Sequence, residues 1–308
     1  MAKEKTGLQQ RIESGKPIVV AEISPPTGSD AAPLREVARR YAGKVHALGI
    51  SDNRDRVCMS ALAAASLVAA EGVEPLLHVV TRDRNRIALI SDCLGAEALG
   101  VRNLLCTSGT HQTLGRFRAA KNVFDVDSIQ LLKTYAGLGS NGELVGEEHF
   151  KGVGPFCLGA VATPLADPME LQVMCLAKKV AAGARFFITQ PVFDLERLGT
   201  WLTEVVRRGI HEKAAILAGI RSLRSAEEAK ALAEARPSPR IPDAVVERMA
   251  SAGNASQQRA AGIEIALETI ERLSAASGLR GLRGFQICGD SDPGAALEII
   301  EKSGLGTD

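Results

Sequence analysis

Apolar and polar positions alternate between two periods along nearly the whole chain. Short runs rich in β-branched and other apolar residues are each followed by a longer segment with apolar residues at helical spacing. The short runs predict strands over 16–24, 44–51, 74–81, 101–107, 154–161, 185–190, 214–218 and 284–288. The longer segments predict helices over 30–41, 56–70, 85–99, 125–135, 168–182, 195–208, 225–235, 242–251, 257–277 and 293–302. Two long loops are expected, 108–123 and 137–152. The first fifteen residues read as an N-terminal extension or helix.

About eight β–α units in about 300 residues match an α/β architecture, a (β/α)8 barrel formed by residues 1–308 as one catalytic domain. Strands covered on both faces should read as continuously apolar, and IVVAEI, HALGI, PLLHVV, RNLLC and AAILAGI do. A doubly wound open sheet also alternates, but it often carries a glycine-rich phosphate turn after its first strand. Here that strand runs into Ser24-Pro25-Pro26-Thr27, which cannot make such a turn. The proline-rich stretch 234–242 reads as a connection within the barrel, because helices resume at once.

Composition narrows the partners. Lys and Arg number 37 and Asp and Glu 36, so the net charge of +1 gives no basic surplus for nucleic acid and no pull toward anionic membranes. No apolar run approaches the roughly 20 residues of a spanning helix, and the N-terminus lacks an apolar signal region, so a cytoplasmic protein is expected. The six cysteines are scattered without a CxxC or Cys/His cluster, which argues for buried reduced thiols and no metal. The chain closes soon after the last expected helix, so no additional regulatory domain is expected.

In such a barrel the polar residues at the carboxyl ends of the strands are the functional candidates. They are Glu22 and Ser24; Ser51, Asp52 and Asn53; His78, Thr81, Arg82 and Asp83; Thr107, Ser108, Gly109, Thr110 and His111; Thr163; Thr189 and Gln190; Arg221; and Asp290. Glu22 is the sharpest signal. Its neighbours are apolar, and desolvation favours the neutral form of a carboxyl, which suits a general acid near neutral pH. The alternative is a structural Glu paired with an interior Arg or Lys. His78, in Leu76-Leu77-His78-Val79-Val80, is either a hydrogen-bonded core residue or a catalyst. Gln190 offers a donor–acceptor pair suited to a planar heterocycle, or is a satisfied strand-end amide. Gly137-Leu-Gly-Ser-Asn-Gly142 formally fits a dinucleotide fingerprint, but it follows a helix and reads better as a helix C-cap and loop.

These strand-end residues, in this order, resemble the methylenetetrahydrofolate reductase family. The supporting stretches run from Glu22-Ile-Ser-Pro-Pro26 through Ser51-Asp-Asn53, 78–85, 100–105, 124–128, 181–194 and Ile241-Pro-Asp243 to Asp290. The resemblance implies a barrel holding non-covalent FAD without a Rossmann motif. It also implies NADH, NADPH or a partner protein as electron donor, and reduction of 5,10-methylenetetrahydrofolate to 5-methyltetrahydrofolate in the one-carbon supply for methionine. It implies that Glu22 helps protonate the folate and open its ring, and that Gln190 contacts the pterin. His78 matches a flavin-contacting histidine, and Ser51, Ala160, Ala162 and Lys179 fall near other flavin contacts. The loop Thr107, Ser108, Gly109 and Thr110 would lie against flavin and pterin. A homo-oligomer, or a complex with an electron-donating subunit, is expected.

The chain departs from the family at two strand ends. Thr110 stands where an aspartate is typical, which removes negative charge beside the flavin, makes its anionic reduced form easier to reach and should raise its potential. Asp290 stands where some members carry an arginine toward the folate tail. The Thr110 departure keeps open a non-catalytic or weakly catalytic folate-binding subunit of a larger complex. A pterin-dependent methyltransferase barrel, which needs no flavin, is a further alternative.

Overall fold

The computed structural model describes residues 3–54, 56–144, 147–235, 239–275 and 281–306. The barrel strands are β1 (Ile18–Ile23), β2 (Ala47–Ile50), β3 (Pro75–Val80), β4 (Asn103–Thr107), β7 (Cys157–Ala162), β8 (Phe186–Pro191), β9 (Ala215–Arg221) and β10 (Leu282–Cys288). They close in the order β1-β10-β9-β8-β7-β4-β3-β2, with every pairing parallel. Helices cover the outside between them, as the alternation required. Most expected boundaries hold to within a few residues. The end of the helix expected over 257–277 reaches beyond Ala275, where 276 and 277 lie outside the described residues. Of the proline-rich connection, 236–238 lie outside them too.

One expected loop is different. The helix that was to stop at Tyr135 runs over Ser128–Asn141 and ends on Gly142 in the left-handed conformation, φ 73°. Gly137 and Gly139 are therefore helical and form no phosphate turn. Gly139 is small because a Cβ there would lie 3.0 Å from the Gly154 carbonyl oxygen. After Gly142 a short antiparallel hairpin follows, β5 (Glu143–Leu144) with β6 (Glu147–His149).

Side chains alternate across each strand, so every second residue points into the barrel. The inward set at the amino end is apolar: Ile18, Val20, Leu76, Leu105, Phe186 and Leu217 pack into one interior cluster. Leu8, from the N-terminal helix α1 (Gly7–Glu13), joins that cluster and closes the amino end of the barrel. Its burial contributes roughly 2 kcal/mol. The α1 amino terminus is fixed by Glu74, which accepts from the backbone N–H of Gly7 and Leu8 at 2.9 and 2.8 Å. The outward set, including Val19, Ile23, Leu48, Leu104, Phe187 and Ile216, packs against the helices. Continuing the inward phase toward the carboxyl end gives Glu22, Ser51, His78, Thr107, Gln190 and Arg221. The floor of the site is thus the top of the barrel's apolar plug.

Candidate active site

A cavity of about 360 Å³ opens at the carboxyl ends of the strands. Glu22, Ser51, His78, Thr107, Gly109, Thr110 and Gln190 all line it, together with Asp52, Arg54, Arg82, Arg221 and Gln286. The volume is near the lower end of the roughly 300–1,000 Å³ of small-molecule sites. Apolar walls from Val80, Leu105, Val161, Ile188 and Phe193 alternate with these polar groups.

Glu22 is buried, with 7% exposure, and both of its oxygens have partners. Oε2 accepts from the Gln286 amide at 2.7 Å, and Oε1 accepts from Arg54 Nη1 at 3.1 Å. Glu22 is therefore ion-paired, though with an arginine of the loop after β2 that is 38% exposed and not with the interior Arg or Lys expected as the structural alternative; the pair sits inside the candidate site. The same Arg54 nitrogen lies 3.6 Å from Asp290. Asp290 in turn accepts two bonds from Arg221 Nη1, at 3.2 and 3.1 Å, and Arg221 Nη2 donates to Glu228 at 2.8 Å. Burial would raise the Asp290 carboxyl, but Arg54 and Arg221 outweigh it and hold the group below the usual aspartate range. Glu228 is lowered likewise: burial opposes, and the bonds from Arg221 and the Arg224 backbone prevail.

His78 stands beside Glu22, with its ring against Gly49. A Cβ on Gly49 would lie 2.9 Å from Nε2, so the glycine makes room for the imidazole. Burial lowers His78 from the usual histidine range, against an opposing pull from Glu22, so the ring is neutral near pH 7. Its Nε2 is buried and has no hydrogen-bond partner, and neither has Gln190 Oε1. Buried polar atoms are normally paired. Two orphans among the lining residues of one cavity mark positions where a ligand's polar atoms can bind.

The wall formed by the loop after β4 is braced by Arg82. Its guanidinium donates to the Thr110 carbonyl at 3.1 Å, to the Asn53 carbonyl at 2.8 Å, and to both oxygens of Asp83. Arg82 is 4% exposed, so it is a strut rather than a ligand group. Gly109 takes φ 80°, and a Cβ there would lie 2.6 Å from Val80 Cγ1. Ser51 and Ser24 share a hydrogen bond at 3.0 Å. Asp52 accepts from the Val80 N–H and pairs with Arg84; burial raises its carboxyl in spite of both.

Other expected residues lie elsewhere. Ala160 and Ala162 occupy the outward phase of β7, packed against helices, and the inward Val161 lines the cavity in their place. Lys179 is on the outer helix Met169–Ala181, where its ammonium donates to the Val161 carbonyl at 2.7 Å. Burial lowers Lys179 from the usual lysine range. Ser108 accepts from the Ser128 N–H at a helix start rather than lining the cavity. His111 is exposed, stacked on Phe124 at a centroid distance of 6.3 Å. Sequence reasoning passed over Gln286, although a lone polar residue in Phe285-Gln286-Ile287 is the same signal that marked Glu22. Arg54, in a polar loop, gave no signal.

A buried acid, an unpartnered imidazole nitrogen and an unpartnered amide oxygen thus lie among the residues lining a cavity at the carboxyl end of a closed parallel barrel, the end where barrel enzymes place their sites. The sequence profile of the family Methylenetetrahydrofolate reductase matches residues 7–304, and the chain belongs to that family. A curated relative, "Probable methylenetetrahydrofolate reductase (NADPH)" of Caenorhabditis elegans, is 26% identical over 196 residues. That match covers 59% of this chain, and the chain spans about a quarter of the relative's length, 25%. Among solved structures, an uncharacterized Clostridium thermocellum protein that binds two copies of 5-methyl-5,6,7,8-tetrahydrofolic acid superposes with a TM-score of 0.64 at 13% identity, covering 96% of this chain and 98% of that one. A 2,3-dimethylmalate lyase superposes at 0.51 with 11% identity, over 97% of this chain and 85% of that one. At such identities these two likenesses establish the barrel fold. No helix among the described residues is long and apolar enough to cross a membrane.

Proposed function

We propose that the protein reduces 5,10-methylenetetrahydrofolate to 5-methyltetrahydrofolate, using FAD and electrons from NADH, NADPH or a partner subunit. The observation that carries this reading is the grouping of Glu22, His78 and Gln190 in one cavity, with His78 Nε2 and Gln190 Oε1 unpartnered. Gln190 presents an acceptor to the ring N–H groups of a pterin, and its NH2 can donate to a ring oxygen or nitrogen. Glu22 is placed to deliver a proton to a folate nitrogen from Oε1, the oxygen that Arg54 bonds and Gln286 does not, so that the ring opens to an iminium. Burial disfavours the His78 cation, so the ring is a weak competitor for that proton and places no second positive charge next to the iminium. The apolar walls exclude water from the electrophilic carbon.

The chain also offers groups that fit a dinucleotide. Beside the cavity the loop after β4 exposes Leu114, Phe117 and Phe124, and in the same stretch the cations Arg116, Arg118 and Lys121. Exposed apolar side chains and cations on one loop suit the rings and phosphates of FAD. When bound, the flavin supplies the hydride for the one-carbon unit. Ala160 and Ala162 can contribute only their backbone to such a site, and Lys179 only after leaving the Val161 carbonyl.

Thr110 favours a second reading, a weakly catalytic folate-binding subunit, because the cavity has no acid at that wall. The visible spectrum of the purified protein separates the two. A yellow protein bleached by NADH or NADPH and reoxidised by methylenetetrahydrofolate is the expected result. A colourless protein that takes up no added flavin overturns the reductase reading.

A further inference from the structure

Strand β8 carries one residue more than the strand beside it. Ile188 pairs with Leu217 of β9 and Pro191 with Gly219, so three steps on β8 match two on β9. A bulge of this kind bends the strand and re-aims its side chains. Before it, Phe186 and Ile188 follow the regular inward phase. Beyond it, Gln190 and Pro191 both line the cavity, although strict alternation would send only one of two consecutive residues there. Gly219 is the residue opposite. A Cβ on it would lie 2.6 Å from the Thr189 carbonyl oxygen and 3.0 Å from that of Gln190, so the bulged backbone lies against its Cα.

Thr189 closes the bulge. Its hydroxyl accepts from the Gly219 N–H at 2.9 Å and donates to the Gln190 carbonyl at 2.8 Å. The Gly219 carbonyl accepts from the Val192 N–H at 2.9 Å, where pairing resumes. The hydroxyl thus stands between two backbone groups that the extra residue has pushed apart. It also holds the carbonyl of the residue whose amide enters the cavity. Proline has no N–H, so in the Gln190–Pro191 peptide only the carbonyl can be held by a hydrogen bond, and Thr189 holds it. Thr189 is 3% exposed, which shelters both bonds from water. Gln190 Oε1 has no protein partner, so the direction of the side chain depends on its backbone.

We propose that Thr189 is a positioning residue, whose hydroxyl locks the β8 bulge and so directs the Gln190 amide into the cavity to meet a planar ligand. The inference rests on the proposed function for the identity of that ligand, and on the bulge for its geometry. Two measurements on the full-length protein test it. The first needs no ligand: the side-chain amide signals of Gln190 in a nitrogen–proton correlation spectrum, identified by their absence in Gln190→Ala. Thr189→Val, which keeps the shape and loses both bonds, should shift or broaden them, and Thr189→Ser, which keeps the hydroxyl, should leave them near their parent positions. The second is the affinity for 5-methyltetrahydrofolate by calorimetry. Thr189→Val should weaken it roughly 3–10-fold, about the worth of one neutral hydrogen bond, Thr189→Ser by less than about twofold, and Thr189→Val should cost nothing further in the Gln190→Ala background. Unchanged Gln190 signals in Thr189→Val, or the same loss of affinity with and without Gln190, overturn the proposal. So does loss of the fold in Thr189→Val, since the hydroxyl would then hold the barrel rather than one side chain. Failure of 5-methyltetrahydrofolate to bind the parent protein tells against the folate reading, while the ligand-free spectra still decide the role of Thr189.

Discussion

Replacing Arg221 with Met tests whether the charge network behind the site supports the barrel as well as the chemistry. The guanidinium is 11% exposed and serves the carboxylates of two half-buried residues, Asp290 through two bonds and Glu228 through one. Removing one partner of a buried pair typically costs about 3–5 kcal/mol, since the remaining charge is uncompensated. Arg54 still lies 3.6 Å from Asp290, and Arg224 still bonds Glu228 at 3.2 Å, which places the loss near 3 kcal/mol. The pH dependence gives the sign. Both carboxyls are lowered in the fold from unfolded values of about 3.9 and 4.3. Their stabilising contribution is therefore present above those values and is lost as pH falls through the folded ones. The gap between parent and variant should be full at pH 7 and narrow markedly toward pH 3. Urea unfolding followed by circular dichroism at both pH values measures it. A difference under about 1 kcal/mol at pH 7, or one that does not shrink in acid, would refute the assignment of these groups as a coupled buried network.

Three further outcomes are expected. Glu22→Gln should slow reoxidation of the protein by methylenetetrahydrofolate by about 10²–10⁴-fold while its reduction by the nicotinamide persists, measured by stopped-flow absorbance; equal loss of both half-reactions would indicate a structural role. Thr110→Asp should lower the flavin midpoint potential in a spectroelectrochemical titration, because a carboxylate disfavours the anionic reduced ring. An unchanged potential would remove Thr110 from the flavin's surroundings. Gly159→Ala should destabilise the barrel by at least about 1–3 kcal/mol in urea unfolding, since its Cβ would lie 2.2 Å from Cζ of the fully buried Phe186, which has little space to retreat. A variant as stable as the parent would mean that the plug is loosely packed.

Much of the site was legible because two local rules, the alternation of elements and the period of two within a strand, carry spatial meaning. The first predicts a barrel and puts function at the strand ends. The second, applied to Ile18-Val-Val-Ala-Glu-Ile23 with Ile18 and Val20 inward, also sends Glu22 inward. Followed strictly along β7, the same rule assigns Val161 rather than Ala160 or Ala162 to the cavity; nearness to a matching stretch was a weaker guide than phase. The helix end was misplaced for a comparable reason. Glycines at 137 and 139 suggest a break, but close packing against Gly154 and Phe156 requires the small residue at 139, and tertiary contact overrides propensity.

By itself, then, the sequence determined the strand pattern, the face on which each polar residue lies and the end of the barrel where they gather, since these follow from neighbours a few positions apart. Only the tertiary structure decided what each of them touches. Glu22 meets Arg54 from 32 residues away and Gln286 from 264 away, because closing the sheet lays β1 against both β2 and β10. Whether that carboxyl is a lone buried acid or one end of a chain of charges running to Asp290 and Arg221 depends on closure of the barrel, and no local pattern encodes it.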